Sequence, residues 1–263
     1  MQYILKRILQ DKDITMKLSK KILFPVLFVF ITSCFLYYQY KVYNYTVLEI
    51  IFPIKNKFWL HRTNDISRLH RFKNKYCGFE IDINWYEQTN EFDVSHDKRD
   101  IIYIYKLENI FKNIPKDKKI WLDFKNLTSE NAEQSINKIE NIIKLYNIRK
   151  QNIIIESNNY TKLKTFKDHG FYTSYYIPVD ESFLKSKSGN VIFKRRVNDA
   201  ILSGNIDAVS FPIEYYNTIK SLNFHGDLLT WASSTRYYMF YIKNNLKTVL
   251  NDQQVKVILV KDR

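Results

Sequence analysis

The chain has 263 residues, 45% of them hydrophobic, which is enough for one sizeable domain with a full core plus an appendage. Only five glycines and five prolines occur, which excludes a disordered or low-complexity protein. The net charge of +14 predicts a surface that attracts anions such as phosphate esters, lipid headgroups or nucleic acid, although solvated lysines in a Lys-, Asn- and Ile-rich composition give the same charge.

The N-terminal 40 residues contain an apolar segment behind a basic flank. Residues 22–38 carry no charge, and three lysines lie between positions 17 and 21. Basic residues before an apolar run retain the N-terminus in the cytoplasm, so the remainder of the chain should be exported. The segment is at the short limit for a spanning helix, and the stretch from Met16 to Cys34 also resembles a bacterial lipoprotein signal peptide. Both interpretations predict a membrane-anchored, extracytoplasmic domain, either periplasmic or at the cell surface.

The chain is therefore predicted to have three parts. Residues 1–40 form a basic tail with a transmembrane anchor or signal peptide, residues 41–56 form a linker that is either a stalk or a lead-in packed on the domain, and residues 57–263 form the domain.

Cys34 lies in the apolar segment and Cys77 just before a predicted strand. A disulfide between them is not expected.

From residue 57 onward, short β-like runs alternate with helical patterns. Isoleucines at helical spacing predict a helix over Ser129–Tyr146, with Thr128 or the following serine as N-cap. Helices are also predicted over Asn190–Leu202, which Gly204 would end, and over Tyr237–Leu250. The predicted strands are Phe58–His61, Gly78–Trp85, Ile120–Lys125, Asn152–Glu156, Tyr172–Ile177, Ala208–Phe211, Asp227–Trp231 and Val255–Val260. This alternation predicts an α/β fold, a small (β/α)8 TIM barrel preceded by an N-terminal membrane segment.

Acidic residues lie at alternate positions of two predicted strands. Glu80 and Asp82 are two positions apart, so both carboxylates point to one face while the neighbouring apolar residues point to the other. Two carboxylates side by side repel each other unless a cation or a shared proton lies between them, so the pair suggests a metal site. Asp123 and Lys125 place an acid and a cation on a common face in the same way.

These residues lie where a TIM barrel carries its active site, at the carboxyl ends of the strands. His61 ends the first predicted strand, Glu80 and Asp82 lie in the second, and Asp123 and Lys125 end the third. The fold therefore predicts that they converge.

The sequence also carries a family resemblance, which covers residues 58–126. It rests on four motifs in order, which are His61-Arg62, Glu80-x-Asp82, His96-Asp97 and Asp123-x-Lys125. This order resembles the glycerophosphodiester phosphodiesterase family and the wider superfamily of phospholipase-C-like (PLC-like) phosphodiesterases. With His61-x-x-Asn64 included, it is also similar to sphingomyelinase D and the menorin-type proteins. The related families share the TIM barrel.

The resemblance implies metal-dependent phosphodiester chemistry. Glu80, Asp82 and Asp123 would be the ligands of a divalent metal, Mg²⁺ or Ca²⁺. Lys125, together with Arg62, would hold the non-bridging phosphate oxygens as charge builds on them.

The resemblance also suggests roles for the histidines and for residues of a substrate pocket. Because both protonation states of histidine exist near neutral pH, His61 is predicted to lie beside the nucleophile and His96 to donate the proton. Asn64 is predicted either to bind the ligand or to cap the helix that follows it. From their places at the ends of later strands, Glu156, Ser210 and Trp231 would line the pocket, where Trp231 would pack against a glycerol, choline or sugar group.

The sequence departs from the pattern of the glycerophosphodiester phosphodiesterases in three places. These departures weaken the prediction of the substrate more than the prediction of the chemistry. Thr63 stands where the glycerophosphodiester enzymes usually have glycine, Asp123 stands where they have glutamate, and the span from Asp97 to Asp123 is short for the insertion that shapes glycerol specificity.

The predicted function is a membrane-tethered, extracytoplasmic phosphodiesterase acting on a glycerophosphodiester, as a lipid headgroup or a phosphate-linked surface polymer. The alternative is a non-catalytic phosphate- or lipid-binding barrel involved in envelope assembly. Nucleic acid is not an expected partner, because no basic run is interleaved with aromatic residues in one element.

Overall fold

The computed structural model describes residues 25, 27–39, 56–97, 106–178, 187–232, 235 and 239–262. The chain divides into two compact units, Met1–Pro53 and Ile54–Arg263. The lysines at positions 17–21 and residues 41–55 of the predicted linker lie outside the described residues.

The first unit contains a helix over residues 27–39. Its large apolar side chains are exposed, with Phe28, Phe30 and Phe35 each more than half accessible to solvent. The Thr32 hydroxyl donates a hydrogen bond to the Phe28 carbonyl oxygen one turn earlier, at 2.5 Å. None of the helices in the described ranges combines the length and the apolar character that a membrane crossing requires.

The second unit is a barrel of eight parallel strands, which confirms the predicted TIM barrel. The strands are β1 (Phe58–Leu60), β2 (Gly78–Tyr86), β3 (Glu91–Val94), β4 (Lys119–Phe124), β5 (Ile153–Ser157), β6 (Tyr172–Tyr176), β7 (Ala208–Pro212), β8 (Asp227–Ala232) and β9 (Val255–Val260). Neighbouring barrel strands follow the order β1-β9-β8-β7-β6-β5-β4-β2, and a pairing of β1 with β2 closes the barrel. The bounds of the first seven predicted strands agree with the observed bounds to within one residue at each end. The eighth, Val255–Val260, has the same bounds as the observed strand.

Strand β3 was not predicted from the sequence. It runs antiparallel to β2 as a hairpin, with Ile83 opposite Val94 and Tyr86 opposite Glu91. The connecting turn has no glycine, and Asn90 takes the left-handed conformation instead, with φ of 51°. Because the usual Asn-Gly or Asp-Gly signal of a tight hairpin is missing, the local sequence does not announce this strand.

Helices cover the outside of the barrel. They are α1 (Ile66–Phe72), α2 (Leu107–Asn113), α3 (Ala132–Leu145), α4 (Tyr160–Asp168), α5 (Lys187–Leu202), α6 (Tyr216–Lys220), α7 (Met239–Ile242) and α8 (Asn244–Asn251). The isoleucines that predicted α3 are buried against the barrel, while its opposite face is polar and exposed.

Helix boundaries differ from the predictions in three places. Helix α5 begins at Lys187, three residues before its predicted start at Asn190. The prediction that α3 begins at Ser129 was wrong, because the Asn131 side chain accepts a hydrogen bond from the Thr128 N–H at 2.9 Å and holds the preceding residues in a turn. The predicted helix Tyr237–Leu250 is two helices, α7 and α8, and its first two residues lie outside the described ranges. Gly204, with φ of 67°, lies just past the end of α5 as predicted.

The lower part of the barrel interior is apolar. At Gly78, a Cβ atom would lie 2.4 Å from the Trp59 indole, so glycine at the start of β2 leaves room for that ring. The interior cluster is Trp59, Trp121, Ile154, Ala208, Leu229, Val257 and Leu259. Cys77 packs partly against it, and both Cys77 and Cys34 are free thiols, so no disulfide joins them. With this part of the interior filled, the polar inward side chains are left at the carboxyl ends of the strands.

Candidate active site

Strand register brings three carboxylates to neighbouring positions in the barrel. Asp82 on β2 pairs with Asp123 on β4, and Asp123 pairs with Glu156 on β5. Paired residues of parallel strands point to the same face, and Glu80 lies two positions before Asp82 on that face. Glu80 and Asp82 are 2% and 1% exposed, respectively, so both are buried in the mouth of the barrel.

Three of the acids are close enough to share a cation. Glu80, Asp82 and Asp123 each offer a carboxylate oxygen, and these oxygens lie within 4.8 Å of one another. Burial, followed by repulsion from the neighbouring carboxylates, raises the pKa of Glu80 well above its usual value. Burial also raises the pKa of Asp123. Three carboxylates offer the oxygen ligands that a hard divalent ion such as Mg²⁺ or Ca²⁺ prefers. The ligand type alone does not select between these two ions.

Lys125 supplies a fixed positive charge beside this cluster. Its Nζ lies 2.7 Å from the Asp82 Oδ1 and also donates to the Asp123 carboxylate. Burial disfavours the charged amine, but attraction to the two aspartates outweighs it and raises the pKa of Lys125 above its usual value. Burial likewise opposes ionisation of Asp82, yet the Lys125 charge holds the pKa of Asp82 below its usual value. Lys125 therefore stays protonated and Asp82 ionised near neutral pH.

The turn after β1 is shaped around Glu80. Arg62 has φ of 55°, a left-handed conformation that is uncommon outside glycine. This conformation points the Arg62 backbone N–H at the Glu80 Oε2, at 2.5 Å, and the Thr63 N–H bonds the Glu80 carbonyl oxygen at 2.8 Å. The Arg62 side chain is exposed. The backbone of this turn thus orients one of the three acids.

Asn64 orients another of the acids. Its Nδ2 donates to the Asp82 Oδ2 at 2.6 Å, and its Oδ1 accepts from the Asp82 backbone N–H at 3.0 Å. Asp65 is the N-cap of α1, where its carboxylate accepts from the Arg68 N–H at 2.7 Å. The alternative that Asn64 caps this helix was therefore wrong, and its side chain instead holds the Asp82 carboxylate in place.

His61 lies beside the carboxylates, directly after β1. Its Nε2 is 3.7 Å from the Glu80 Oε2, and its side chain is 13% exposed. Burial, with smaller contributions from the positive charges of Lys261 and Arg62, lowers the pKa of His61 from 6.5 to about 3. The imidazole is consequently neutral near pH 7 and can accept a proton.

His96 lies on the rim of the same mouth, shortly after β3. Its side chain is 43% exposed, and its Nδ1 is 2.8 Å from the Asp97 Oδ1. It is close enough to the cluster to favour the ionised forms of Asp82 and Asp123. The Asp97 contact occupies one ring nitrogen and leaves the Nε2 for another partner.

The later strands place a buried acid and two aromatic rings on the other side of the mouth. Glu156 is 2% exposed and accepts a hydrogen bond from the Ser210 hydroxyl. Burial, then the nearby Asp123 charge, raises the pKa of Glu156 well above its usual value. Trp231 at the end of β8 stacks on Tyr176 at the end of β6, with ring centroids 5.5 Å apart and an interplanar angle of 25°.

Tyr176 was not among the predicted site residues. It lies in a predicted strand, two positions after Ser174, so period-two alternation alone places both on one face. That this face is the inside of the barrel follows only from the pairing of β6 with its neighbours.

Solved structures of phosphodiesterases share this fold. A glycerophosphodiester phosphodiesterase from Parabacteroides distasonis matches with a TM-score of 0.54 and 13% identity, over 78% of this chain and 92% of that one. A phosphodiesterase from Oleispira antarctica, solved with the product sn-glycerol-3-phosphate, matches with a TM-score of 0.53 and 13% identity, over 78% and 92%. A glycerophosphoryl diester phosphodiesterase assigned in Agrobacterium tumefaciens matches with a TM-score of 0.55 and 12% identity, over 79% and 94%.

These neighbours show that the chain has the fold of the glycerophosphodiester phosphodiesterases, in agreement with the resemblance of its motifs. At the level of sequence, no protein-family model matches the chain, and no curated protein is significantly similar to it.

Proposed function

We propose that this protein is a metal-dependent phosphodiesterase that hydrolyses glycerophosphodiester-type substrates. The observation that carries the proposal is the cluster of Glu80, Asp82 and Asp123, with carboxylate oxygens within 4.8 Å of one another and Lys125 at hydrogen-bonding distance. The cluster lies at the end of the barrel where this fold places its active sites.

The electrostatics of the site suit attack on a charged phosphodiester. Such attack requires that the phosphate charge be neutralised and that the departing alkoxide be protonated. A divalent ion held by Glu80, Asp82 and Asp123 would act there as a Lewis acid toward a phosphate oxygen. Lys125, fixed beside two of these acids, holds a non-bridging oxygen as negative charge builds on it, and the exposed Arg62 side chain adds positive charge at the mouth.

Two histidines complete the proton transfers. Neutral His61 takes the proton from the attacking hydroxyl, which belongs to water or to a neighbouring substrate alcohol, as the new P–O bond forms. The bond between phosphorus and the leaving oxygen then breaks, and protonated His96 donates its Nε2 proton to that oxygen. With water as nucleophile the products are a phosphomonoester and an alcohol, and with a substrate hydroxyl they are a cyclic phosphate and an alcohol.

The substrate class is supported by the fold and by the charge of the chain. The Oleispira antarctica neighbour holds sn-glycerol-3-phosphate as its product, and the net charge of +14 here favours anionic partners. Within this class we favour a lipid headgroup or a phosphate-linked surface polymer. Trp231 is partly buried and provides an aromatic surface for the alcohol part of such a substrate.

The test is hydrolysis of a panel of glycerophosphodiesters and lysophospholipids by the full chain in detergent. Turnover is expected with Mg²⁺ or Ca²⁺ and is expected to disappear in EDTA. His61→Ala should reduce kcat by about 10²- to 10⁴-fold, the usual contribution of a general base. His225→Ala is the matched control, because His225 precedes β8 and lies at the opposite end of the barrel, and it should leave kcat unchanged.

One result would contradict this function. If the folded chain binds no divalent ion and turns over no member of the panel, the non-catalytic binding barrel becomes the better assignment.

We also propose that the domain is tethered to a membrane and lies outside the cytoplasm. The uncharged run 22–38 behind a basic flank supports this, as do the exposed apolar side chains of the helix over 27–39, which water solvates poorly. The full chain is expected in the membrane fraction of expressing cells and should resist extraction with alkaline carbonate.

Cys34→Ala distinguishes the two kinds of tether. Lipidation of Cys34 follows cleavage of the signal peptide before that residue. A lipid-anchored chain would therefore be shortened, and Cys34→Ala would restore its full length, whereas a chain anchored by its apolar segment would have full length with or without the substitution. Recovery of the unaltered chain in the soluble fraction would contradict tethering of either kind.

A further inference from the structure

Strand register places Tyr176 inside the barrel mouth. Ser210 on β7 donates its hydroxyl to the buried Glu156 carboxylate, so Ser210 points inward. Tyr176 is the Cα partner of Ser210 in the β6–β7 pairing and therefore points to the same side. Trp231 lies two positions after Leu229, a member of the interior cluster, and is inward for the same reason.

The Tyr176 ring lies near the catalytic cluster. The charges of Glu156, Asp123 and Lys125 all act on the phenol, which places it near them. Among the described residues no group hydrogen-bonds to this hydroxyl. Burial first, and then the nearby carboxylates, raises the pKa of Tyr176 above its usual value of 10.0, so the phenol keeps its proton near neutral pH and acts as a donor.

The position of β6 in the barrel gives this donor a distinct place in the site. In the ring of eight strands, β6 is four strands away from β1 in both directions, so it lies directly across the barrel from the strand that His61 follows. The stacking contact with Trp231 restricts the Tyr176 ring. A phosphate bound at the carboxylate cluster would have His61 on one side and the Tyr176 hydroxyl on the other.

We propose that Tyr176 contacts the substrate, with its hydroxyl donating a hydrogen bond to a phosphate oxygen on the side of the site opposite His61. This inference rests on the proposed function in that both use the carboxylate cluster as the phosphate site. The ligand class is a phosphate ester, and Tyr176 is assigned to its phosphate group and not to its alcohol.

Tyr176→Phe tests the assignment because it removes the hydroxyl and keeps the ring that stacks on Trp231. The full chain is titrated, in detergent with saturating Mg²⁺, with inorganic phosphate and separately with sn-glycerol-3-phosphate, and binding is measured by calorimetry. Loss of a hydrogen bond to a charged group predicts binding weaker by about 10- to 100-fold for both ligands. The Mg²⁺ affinity measured without phosphate should be unchanged.

Tyr175→Phe is the matched control. The neighbouring Tyr175 points outward, where its ring packs edge-on against Tyr160 with centroids 5.3 Å apart. This variant removes a phenol hydroxyl at the adjacent position and should bind both ligands as the unaltered chain does.

The outcomes separate this inference from the proposed function. Suppose that the unaltered chain hydrolyses the substrate and that Tyr176→Phe binds phosphate as tightly as the unaltered chain does. This result would overturn the inference and would not contradict the proposed function. Weaker phosphate binding in Tyr176→Phe without any hydrolysis by the unaltered chain would support the inference and count against the function. Weaker binding of sn-glycerol-3-phosphate alone would place Tyr176 on the glycerol group and overturn its assignment to phosphate.

Discussion

Replacing Glu80 by glutamine is expected to reduce phosphodiester hydrolysis sharply and, at the same time, to stabilise the metal-free protein. Glutamine keeps the shape of the side chain and can still accept the Arg62 backbone N–H bond. The substitution removes one of the three negative charges that would hold the cation. Because a bound metal contributes several kcal/mol of charge stabilisation, we expect activity to fall by about 10³-fold or more.

The stability gain follows from the buried charge. In the absence of metal, Glu80 is desolvated and faces Asp82 and Asp123, so ionising it costs free energy that glutamine does not incur. If the substitution raises the free energy of unfolding by about 1 kcal/mol, the Tm should rise by about 2–4 °C for a domain of this size. Mg²⁺ should raise the Tm of the unaltered chain and have little effect on the variant.

The raised pKa of Glu80 also determines how the stability of the metal-free protein changes with pH. The pKa of Glu80 is raised in the folded state, so between its usual value of 4.5 and its folded value the folded protein binds more protons than the unfolded chain. The free energy of unfolding of the metal-free protein therefore falls as pH rises through this window. Glu80→Gln removes that contribution, and its stability should fall less steeply with pH.

Glu133→Gln serves as the matched control, since Glu133 lies on the outer face of α3 with a 66% exposed side chain. It should change neither activity nor the response to Mg²⁺. Retention of Mg²⁺ stabilisation by Glu80→Gln would show that the cluster is not the metal site.

Replacing Lys125 by methionine is expected to reduce kcat by about 10²- to 10³-fold, the effect of removing one charge-stabilising donor from an active site. Methionine fills a similar volume but cannot contact the phosphate oxygens. The metal-free variant should also be less stable, because Asp82 and Asp123 lose the cation that pairs with both. Mg²⁺ should restore much of that stability, since the ion compensates the same two carboxylates.

Lys119→Met provides the comparison, because Lys119 is exposed at the other end of β4. It removes the same charge from the same strand without reaching the mouth, so its kcat should be that of the unaltered chain. If Lys125→Met has the same kcat as the unaltered chain, Lys125 does not stabilise the charge on the phosphate oxygens.

Several features of this protein were predictable because they depend on local properties of the chain. Alternation along a strand is a property of the extended backbone, so Glu80 and Asp82 had to share a face wherever that strand lay. The eight barrel strands were predicted almost to the residue, because runs of isoleucine, valine and aromatic residues between polar segments are a local signal. The barrel followed from the alternation of strands and helices.

Other features could not be predicted because the atoms involved are brought together only by strand pairing and barrel closure. The register that pairs Asp82 with Asp123 is set by contacts far apart in the sequence. The left-handed backbone of Arg62 occurs at a residue with no local preference for it, and the acceptor that its N–H reaches is 18 residues away in the sequence. The same separation lies between Asn64 and Asp82, so the local sequence favoured a helix cap instead.

The sequence by itself thus determined which residues are candidates for the proposed chemistry on the early strands and which of them share a face, since both follow from residue type and from a backbone period of two. Only the tertiary structure decided that three carboxylates meet within 4.8 Å, that Lys125 bonds to two of them, and that Tyr176 lies across the mouth from His61. The physical reason is that distances between strands are determined by barrel closure and long-range packing, neither of which leaves a periodic signal in the local sequence.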